Sequence, residues 1–238
     1  MTRACVLMCF SLLVLSSEGH CDSNDADKPS PTCPGAAAWK EAHPEDSPEA
    51  MARRDEARTL TEPDLRKQLQ ARFDGDQRIR KQYLGAPHDP NVARRVDAED
   101  TQNLRWLKKM VQDKGIPTAE QVGENGVKWT WLLVQHADRD PQLQAATLPM
   151  FVKRYEAGEL PADDLAKLTD RILIAQGKPQ RFGTQFDWLS GKFNSRDAGD
   201  LAAIDANRQP IGLMPLADYA CMMNEKLKKI RQSRTADG

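Results

Sequence analysis

The sequence predicts an all-α fold: a single orthogonal helical domain of about six helices, with one short irregular or extended segment near residues 180–200. Three observations carry this. Apolar residues recur at helical spacing along successive segments, and caps, glycines and prolines punctuate the ends of those segments. Val127-Lys-Trp-Thr-Trp-Leu-Leu-Val-Gln-His-Ala-Asp138 is apolar on nearly every face, as a helix enclosed by its own domain would be. At 238 residues the chain can bury a sizeable core without needing disulfides or metals to hold it.

Residues 1–19 read as a secretory signal peptide. A short basic start is followed by the apolar stretch Ala4 to Leu15 and by small residues at Ser17 and Gly19, with cleavage expected after Gly19. The stretch is too short for an ordinary transmembrane helix, so no membrane span is expected once it is removed. This implies an extracytoplasmic chain, periplasmic or secreted. Lipidation at Cys21 is the lesser alternative, because Glu18-Gly-His20 is a poor match to the small-residue stretch that such processing needs. In an oxidising compartment Cys21 and Cys33 could pair, leaving Cys221 single and buried.

Residues 20–60 read as a flexible linker. From 20 to about 48 the composition is Asp, Ser, Pro, Ala and Gly with almost no large apolar side chain, which cannot offset the entropy of ordering. A charged helix around Pro48 to Arg58 is expected to have too few apolar positions for a core. The folded domain is expected over residues 61–225, followed by a basic helix end and tail over 226–238.

Within that domain, Thr61 is the expected cap of a first helix with Pro63 in its first turn. Leu65, Leu69, Phe73, Arg80 and Leu84 lie on one stripe, with Asp76 and Gln77 on or beside it. Two prolines in Gly85-Ala-Pro-His-Asp-Pro90 stop it. A second helix is expected from Asp97 through Leu104, Leu107, Met110 and Val111 to Gly115 and Pro117. The central helix spans about Glu124 to Ala137. Asp140-Pro141 starts the next, with Leu143, Leu148, Phe151 and Tyr155 buried. Asp163 and Asp164 then open a helix through Leu165, Leu168 and Ile172, where acidic side chains complement the macrodipole. Gln180 to Phe186 is expected as a turn or short extended piece, tight at Gly183, and Trp188 to Asp200 as irregular. One helical turn is expected at Asp205 to Arg208. A last helix is expected from about Pro215 to Arg231. Its Lys226, Lys228, Lys229 and Arg231 are explained by favourable charge at a helix end and a solvated face; an anionic partner is the competing reading.

Net charge of −1 and a pI near 6.4 supply no global field for nucleic acid or an anionic membrane, and neither is an expected partner. No metal site or cofactor is expected: there is no C-x-x-C, and His20, His43, His88 and His136 are scattered, with only His136 in apolar surroundings. Phosphate-cradling glycine loops and nucleophile elbows are absent from the sequence.

Several motifs together resemble a bacterial family of domains of unknown function, DUF6624. They are Asp76-Gln-x-x-Arg80, Asp97 with Asn103, Gly115-Ile-Pro117, Val122-Gly-Glu124, Trp131 to Asp138, Leu168-Thr-Asp-Arg171, Lys178 to Gln185, and Arg208 followed by Ile211-Gly-Leu213, Pro215 and Tyr219, covering about residues 64–222. The chain departs from that pattern at Ile116, where the family has tryptophan, and at Phe182, where it has tyrosine. A phenol at 182 could have donated a proton, so the resemblance lends this chain no such step. It implies no activity, cofactor or substrate.

The residues themselves support chemistry of a limited kind. Asp76, Gln77, Arg80, Gln135, His136, Asp170, Arg171, Gln180, Thr184 and Gln185 are polar side chains among apolar neighbours. Leaving one unpaired would cost about 1–3 kcal/mol for a neutral group and more for a charge, so they are expected to converge. His136 is the histidine suited to acid–base work, with Asp170 expected to orient its ring. Arg80 and Arg171 could grip a carboxylate or phosphate, with Gln77, Gln135, Gln180, Thr184 and Gln185 as further ligand contacts. Thr184 is a conceivable nucleophile that lacks a motif for its activation. Three functions remain open: binding of an unknown small polar or anionic ligand or a partner segment at this centre, hydrolysis with His136 as general base, or a structural domain with a buried polar network. Asp170 and Arg171 could equally form structural ion pairs. Trp129 and Trp131 fit core aromatics, with a sugar-stacking platform as the alternative.

Overall fold

A computed structural model describes residues 32–86, 88–186 and 201–236, and the regular elements among them are all helical. Nine α-helices are described: α1 (Pro34–Ala42), α2 (Pro48–Glu56), α3 (Pro63–Gly85), α4 (Pro90–Lys114), α5 (Ala119–Gln135), α6 (Pro141–Glu156), α7 (Ala162–Ala175), α8 (Leu201–Arg208) and α9 (Leu216–Ala236). The sequence expectation of about six is corrected upward by α1, read as linker, by α2, read as a charged helix outside the folded domain, and by α8, read as a single turn. The packing differs from an orthogonal set of six as well. Here α5 is the axis, against which α2, α3, α4, α6 and α7 all pack, while α1 packs on α9.

The capping chemistry explains most boundaries. Pro63 occupies the first turn of α3, where its missing N–H costs nothing. α4 starts at Pro90, seven residues before the expected Asp97, because the Asp89 side chain accepts from Asn91 N at 2.7 Å and supplies the cap. Asp97 is therefore inside the helix and pairs with Arg139. Thr118 and Gln121 form a capping box that starts α5 at Ala119, before the expected Glu124. At Gly123 α5 kinks: its φ of 75° is open to glycine, and a Cβ there would lie 2.2 Å from Arg66 Nη1.

That kink exposes fresh amides inside the molecule, and α2 caps them. Asp55 accepts from Glu124 N at 2.6 Å and from Asn125 N at 3.1 Å, while Arg66 ties it to the Val122 carbonyl. Glu124 is in turn gripped by Arg54 and Arg58. Hence α2 is integral, with Met51 only 1% exposed, despite its polar composition.

The main core gathers Leu65, Leu69, Leu107, Val127, Trp131, Leu133, Phe151 and Leu168. A smaller cluster joins Ala36 to Met214, Tyr219 and Met223, and a Cys33–Cys221 disulfide locks it with a Cα–Cα distance of 5.8 Å. The expected Cys21–Cys33 pair is thus replaced: Cys33 sits at the start of α1, against α9. Residues 1–31, which hold the expected signal peptide and Cys21, and the expected irregular stretch at 187–200 lie outside the described residues. No helix among the described residues is long and apolar enough to cross a membrane.

Candidate functional site

Asp76 and His136 meet at the centre of the domain. α3 brings Asp76 inward on the stripe of Leu65 and Leu69, and His136 is the last, non-helical residue capping α5. His136 Nδ1 donates to Asp76 Oδ1 at 2.9 Å, across a sequence separation of 60 residues. Asp76 also accepts from Arg80 Nε at 3.0 Å and from Gln77 Nε2 at 2.8 Å. Burial opposes ionisation of Asp76, but His136, Arg80 and Gln77 outweigh it and hold the carboxyl well below the usual range.

An ionised carboxylate only accepts hydrogen bonds, so the proton between the two groups belongs to His136 Nδ1. The ring itself is pushed toward the neutral form, first by burial and then by the Arg80 and Arg171 charges, with Asp76 pulling the other way. His136 Nε2 is then a lone-pair acceptor. It is buried, and among the described residues no donor reaches it.

Around this dyad stand two further acid–base pairs. Arg80 reaches on to Asp100 of α4, and Arg171 of α7 donates to Asp138 Oδ1 at 2.5 Å. Burial, relieved by Arg80 but reinforced by Asp76 and Asp138, pushes Asp100 up to about 6. Gln135 is fully buried, and its main-chain carbonyl, with that of Val134, accepts from Gln144 Nε2. Sequence reasoning missed Asp100 and Asp138 as members of the centre, because each is recruited by an arginine on another element, a tertiary pairing that spacing does not reveal.

The remaining predicted site residues belong to a different structure. Asp170 does not orient the imidazole; Asp76 does. Asp170 accepts from the amides of Arg181, Phe182 and Thr184 and from Thr184 Oγ1, all at 2.8–2.9 Å. Both of its oxygens are thereby committed to the 180–186 loop. Thr184 Oγ1 is spent as a donor in that arrangement rather than held near a base. Gln180 exchanges two hydrogen bonds with the main chain of Gln185, and Gln185 Nε2 donates to the Lys167 carbonyl. Arg208, missed as a site residue, completes the clamp by donating to the Phe182 and Met214 carbonyls. Gly183, at φ 65°, packs against Leu216 and Ile204, and a Cβ would crowd Leu216 to 2.9 Å. The expected single centre is therefore divided: Asp76, Gln77, Arg80 and His136 form one hydrogen-bonded network, with Arg171 in electrostatic reach of the ring and Gln135 its neighbour in sequence, while Asp170, Gln180, Thr184 and Gln185 form a loop clamp.

A family model described as a family of unknown function, DUF6624, matches residues 63–230, from the start of α3 into α9. The chain belongs to the DUF6624 family. Neither a curated protein nor a solved structure matches it. Both centres fall inside the DUF6624 match, whereas α1, α2, Cys33 and Asp55 precede it. Ile116 packs into the main core, and Phe182 is buried beside the Arg181 guanidinium. The loop clamp uses the main chain of Phe182 and asks nothing of a phenol.

Access separates the DUF6624 dyad from an open active site. His136 and Arg171 are each 5% exposed. A cleft of about 340 Å³ lies elsewhere, between His43, Asp46, Arg54, Tyr155, Leu160 and Ile211, and none of the predicted site residues lines it. Among the described residues, no group of three or more His, Cys, Asp or Glu side chains is arranged to hold a metal ion.

Proposed function

We propose that the domain binds a small, neutral, hydroxyl-bearing ligand whose donor fills His136 Nε2. The observation that carries this is the buried ring nitrogen, oriented by Asp76 and lacking a donor among the described residues. An unsatisfied buried acceptor costs about 1–3 kcal/mol, so a donor delivered there is favoured by a comparable amount. An anionic ligand fits less well, because Arg80 and Arg171 are already matched by Asp76, Asp100 and Asp138.

A second reading rests on the same atom. A neutral imidazole held by a carboxylate through Nδ1 is the arrangement of a general base, and a water or substrate hydroxyl at Nε2 could be deprotonated there, giving a hydrolase. We further propose that the chain is exported, with residues 1–19 as its signal segment. The Cys33–Cys221 bridge supports an oxidising compartment.

The test is a histidine-selective NMR titration of the full chain with glycerol and with a free hexose. Because the ring is enclosed, bound ligand leaves only as surrounding side chains open, and slow exchange at His136 Nε2 is expected. No response from His136 to either probe would favour a purely structural network. In a screen of ester and glycoside hydrolysis, the hydrolase reading expects His136→Gln to abolish turnover under conditions where the variant, although destabilised, is still folded. Equal loss of folding and turnover would count against it.

A further inference from the structure

The cleft of about 340 Å³ opens where the N-terminal helices meet the body of the DUF6624 domain. His43, Glu45 and Asp46, from the connection between α1 and α2, line it together with Arg54 of α2. Across the chain, the end of α6 and its link to α7 contribute Tyr155, Glu159 and Leu160. The N-terminal part of the lining is held in place. The His43 ring stacks on Trp39 with centroids 4.2 Å apart, and its Nδ1 donates to the Trp39 carbonyl at 2.8 Å. α1, which carries Trp39, packs on α9 and is tied to it by the Cys33–Cys221 bridge. Arg54 donates twice to the Glu45 carbonyl at 3.1 Å while it grips Glu124, and so fixes the main chain at Glu45.

The charges around the cleft do not balance. Among the described residues, its lining holds the carboxylates of Glu45, Asp46, Glu124 and Glu159. Glu124 is matched by Arg54 and Arg58, and Glu159 has Arg154 Nη1 at 3.1 Å. The side chains of Glu45 and Asp46 are exposed and enter no hydrogen bond or ion pair. Two pairs behind the lining cancel: Lys128, in reach of Asp46, with Asp164 at 3.4 Å, and Arg66 with Asp55 at 2.9 Å. With His43 neutral at pH 7, one negative charge is left over. Partial enclosure, then Glu45, push the Asp46 carboxyl up from its ordinary value, as befits a carboxylate short of a cation. An acceptor is spare as well. Glu159 Oε2 is buried and makes no hydrogen bond, even with Arg154 beside it. Tyr155 is half-buried and Leu160 buried, so the lining also offers an aromatic ring and an apolar surface.

We propose that this cleft binds a small organic monocation, an ammonium on a short apolar or aromatic body, with its charge among Glu45, Asp46 and Glu159 and its body against Tyr155 and Leu160. A single positive charge neutralises the surplus, and an ammonium N–H supplies the donor that Glu159 Oε2 lacks. The tyrosine face attracts the same cation through its ring quadrupole. The volume suits a small molecule, since ligand sites run from about 300 to 1,000 Å³. The site is separate from the His136 centre and does not depend on what that centre binds. His43, Glu45, Asp46 and Arg54 precede the family match at 63–230, so the site is assembled from the N-terminal helices and the DUF6624 domain together.

The experiment is a calorimetric titration of the full, disulfide-bonded chain at pH 7 and constant ionic strength with benzylammonium, benzamide and benzoate, which share a ring and differ in charge. Saturable one-site binding is expected for benzylammonium, with benzamide about tenfold weaker or more and benzoate weaker again. Glu45→Gln combined with Asp46→Asn, at two exposed positions that leave the fold intact, should weaken benzylammonium about tenfold. Asp113→Asn, which removes an exposed acid of α4 outside the cleft, should leave it unchanged. Because a bound cation favours the carboxylate, the Asp46 pKa should fall on saturation when followed by carboxyl ¹³C NMR. No saturation by benzylammonium at tens of millimolar, binding of benzamide or benzoate as tight as that of benzylammonium, or equal affinity in the Glu45→Gln, Asp46→Asn variant would overturn the proposal.

Discussion

Replacing Asp76 by asparagine is the sharpest perturbation of the dyad. Asp76 is fully buried and accepts from His136 Nδ1, Arg80 Nε and Gln77 Nε2. Asparagine keeps the volume but removes the charge, and it presents an amide N–H₂ to one side of a ring of donors. Breaking one side of a buried pair costs about 3–5 kcal/mol. Summing three charged hydrogen bonds at about 1.5–3 kcal/mol each would overshoot, because Arg80 retains Asp100 and the network is not additive. The expected loss is therefore about 3 kcal/mol at neutral pH, read as a lower urea midpoint at unchanged slope. The pH dependence has a definite sign. A carboxyl held low in the folded state contributes its full stability above the unfolded pKa of about 3.9 and loses it as the pH falls further. The gap between wild type and Asp76→Asn should thus be open at pH 7 and close in acid below about pH 4. A loss under about 1 kcal/mol at pH 7 would refute the reasoning, since such a value belongs to an exposed pair.

Three further outcomes follow from the same structure. Asp100, pushed up to about 6, destabilises the fold when ionised; the penalty is present above that value and is relieved as the pH falls toward about 4. Wild type should accordingly gain up to about 3 kcal/mol relative to Asp100→Asn between pH 7 and pH 4, measured by urea unfolding at each pH. Peptide mapping of the non-reduced chain should recover a Cys33–Cys221 linkage, and the chain-entropy model for their separation of 188 residues gives Cys33→Ser a loss of up to about 5 kcal/mol in chemical denaturation. Gly123→Ala forces a side chain into a positive φ and into Arg66 and Asp55, and should cost at least about 2 kcal/mol, read as a lower melting temperature.

Much of the fold was legible because its signals are local. Pro63, Asp140 with Pro141, and Gly115 mark helix ends through their own backbone chemistry, and those boundaries fall within a residue or two of expectation. The early start of α4 was missed because Asp97 and Asp89 are both plausible caps, and only Asp89 has an amide to cap. α1 was illegible, and the expected charged helix that became α2 was misjudged as lying outside the core, for a different reason. Neither carries a strong apolar stripe, and each is fixed by a partner far along the chain: Cys33 by Cys221, and Asp55 by the amides freed at Gly123.

For the candidate site, the expectation that buried polar side chains gather was sound in kind and wrong in number. Hydrophobic surroundings say that a polar group needs a partner but not which one. Asp170 and Arg171 are neighbours on α7 that diverge to separate partners, because adjacent helical residues point in different directions. The choice of Asp76 over Asp170 for the imidazole depends on how α3 lies against α5, which is a tertiary contact with no local sequence signature.

The chemistry of the dyad turns on one protonation state, that of His136. A ¹⁵N-resolved NMR titration of His136 in the full chain should find the neutral ring with its proton on Nδ1 and Nε2 bare at pH 7, titrating below the ordinary 6.5. An imidazolium at that pH, or a neutral ring carrying its proton on Nε2, would contradict it.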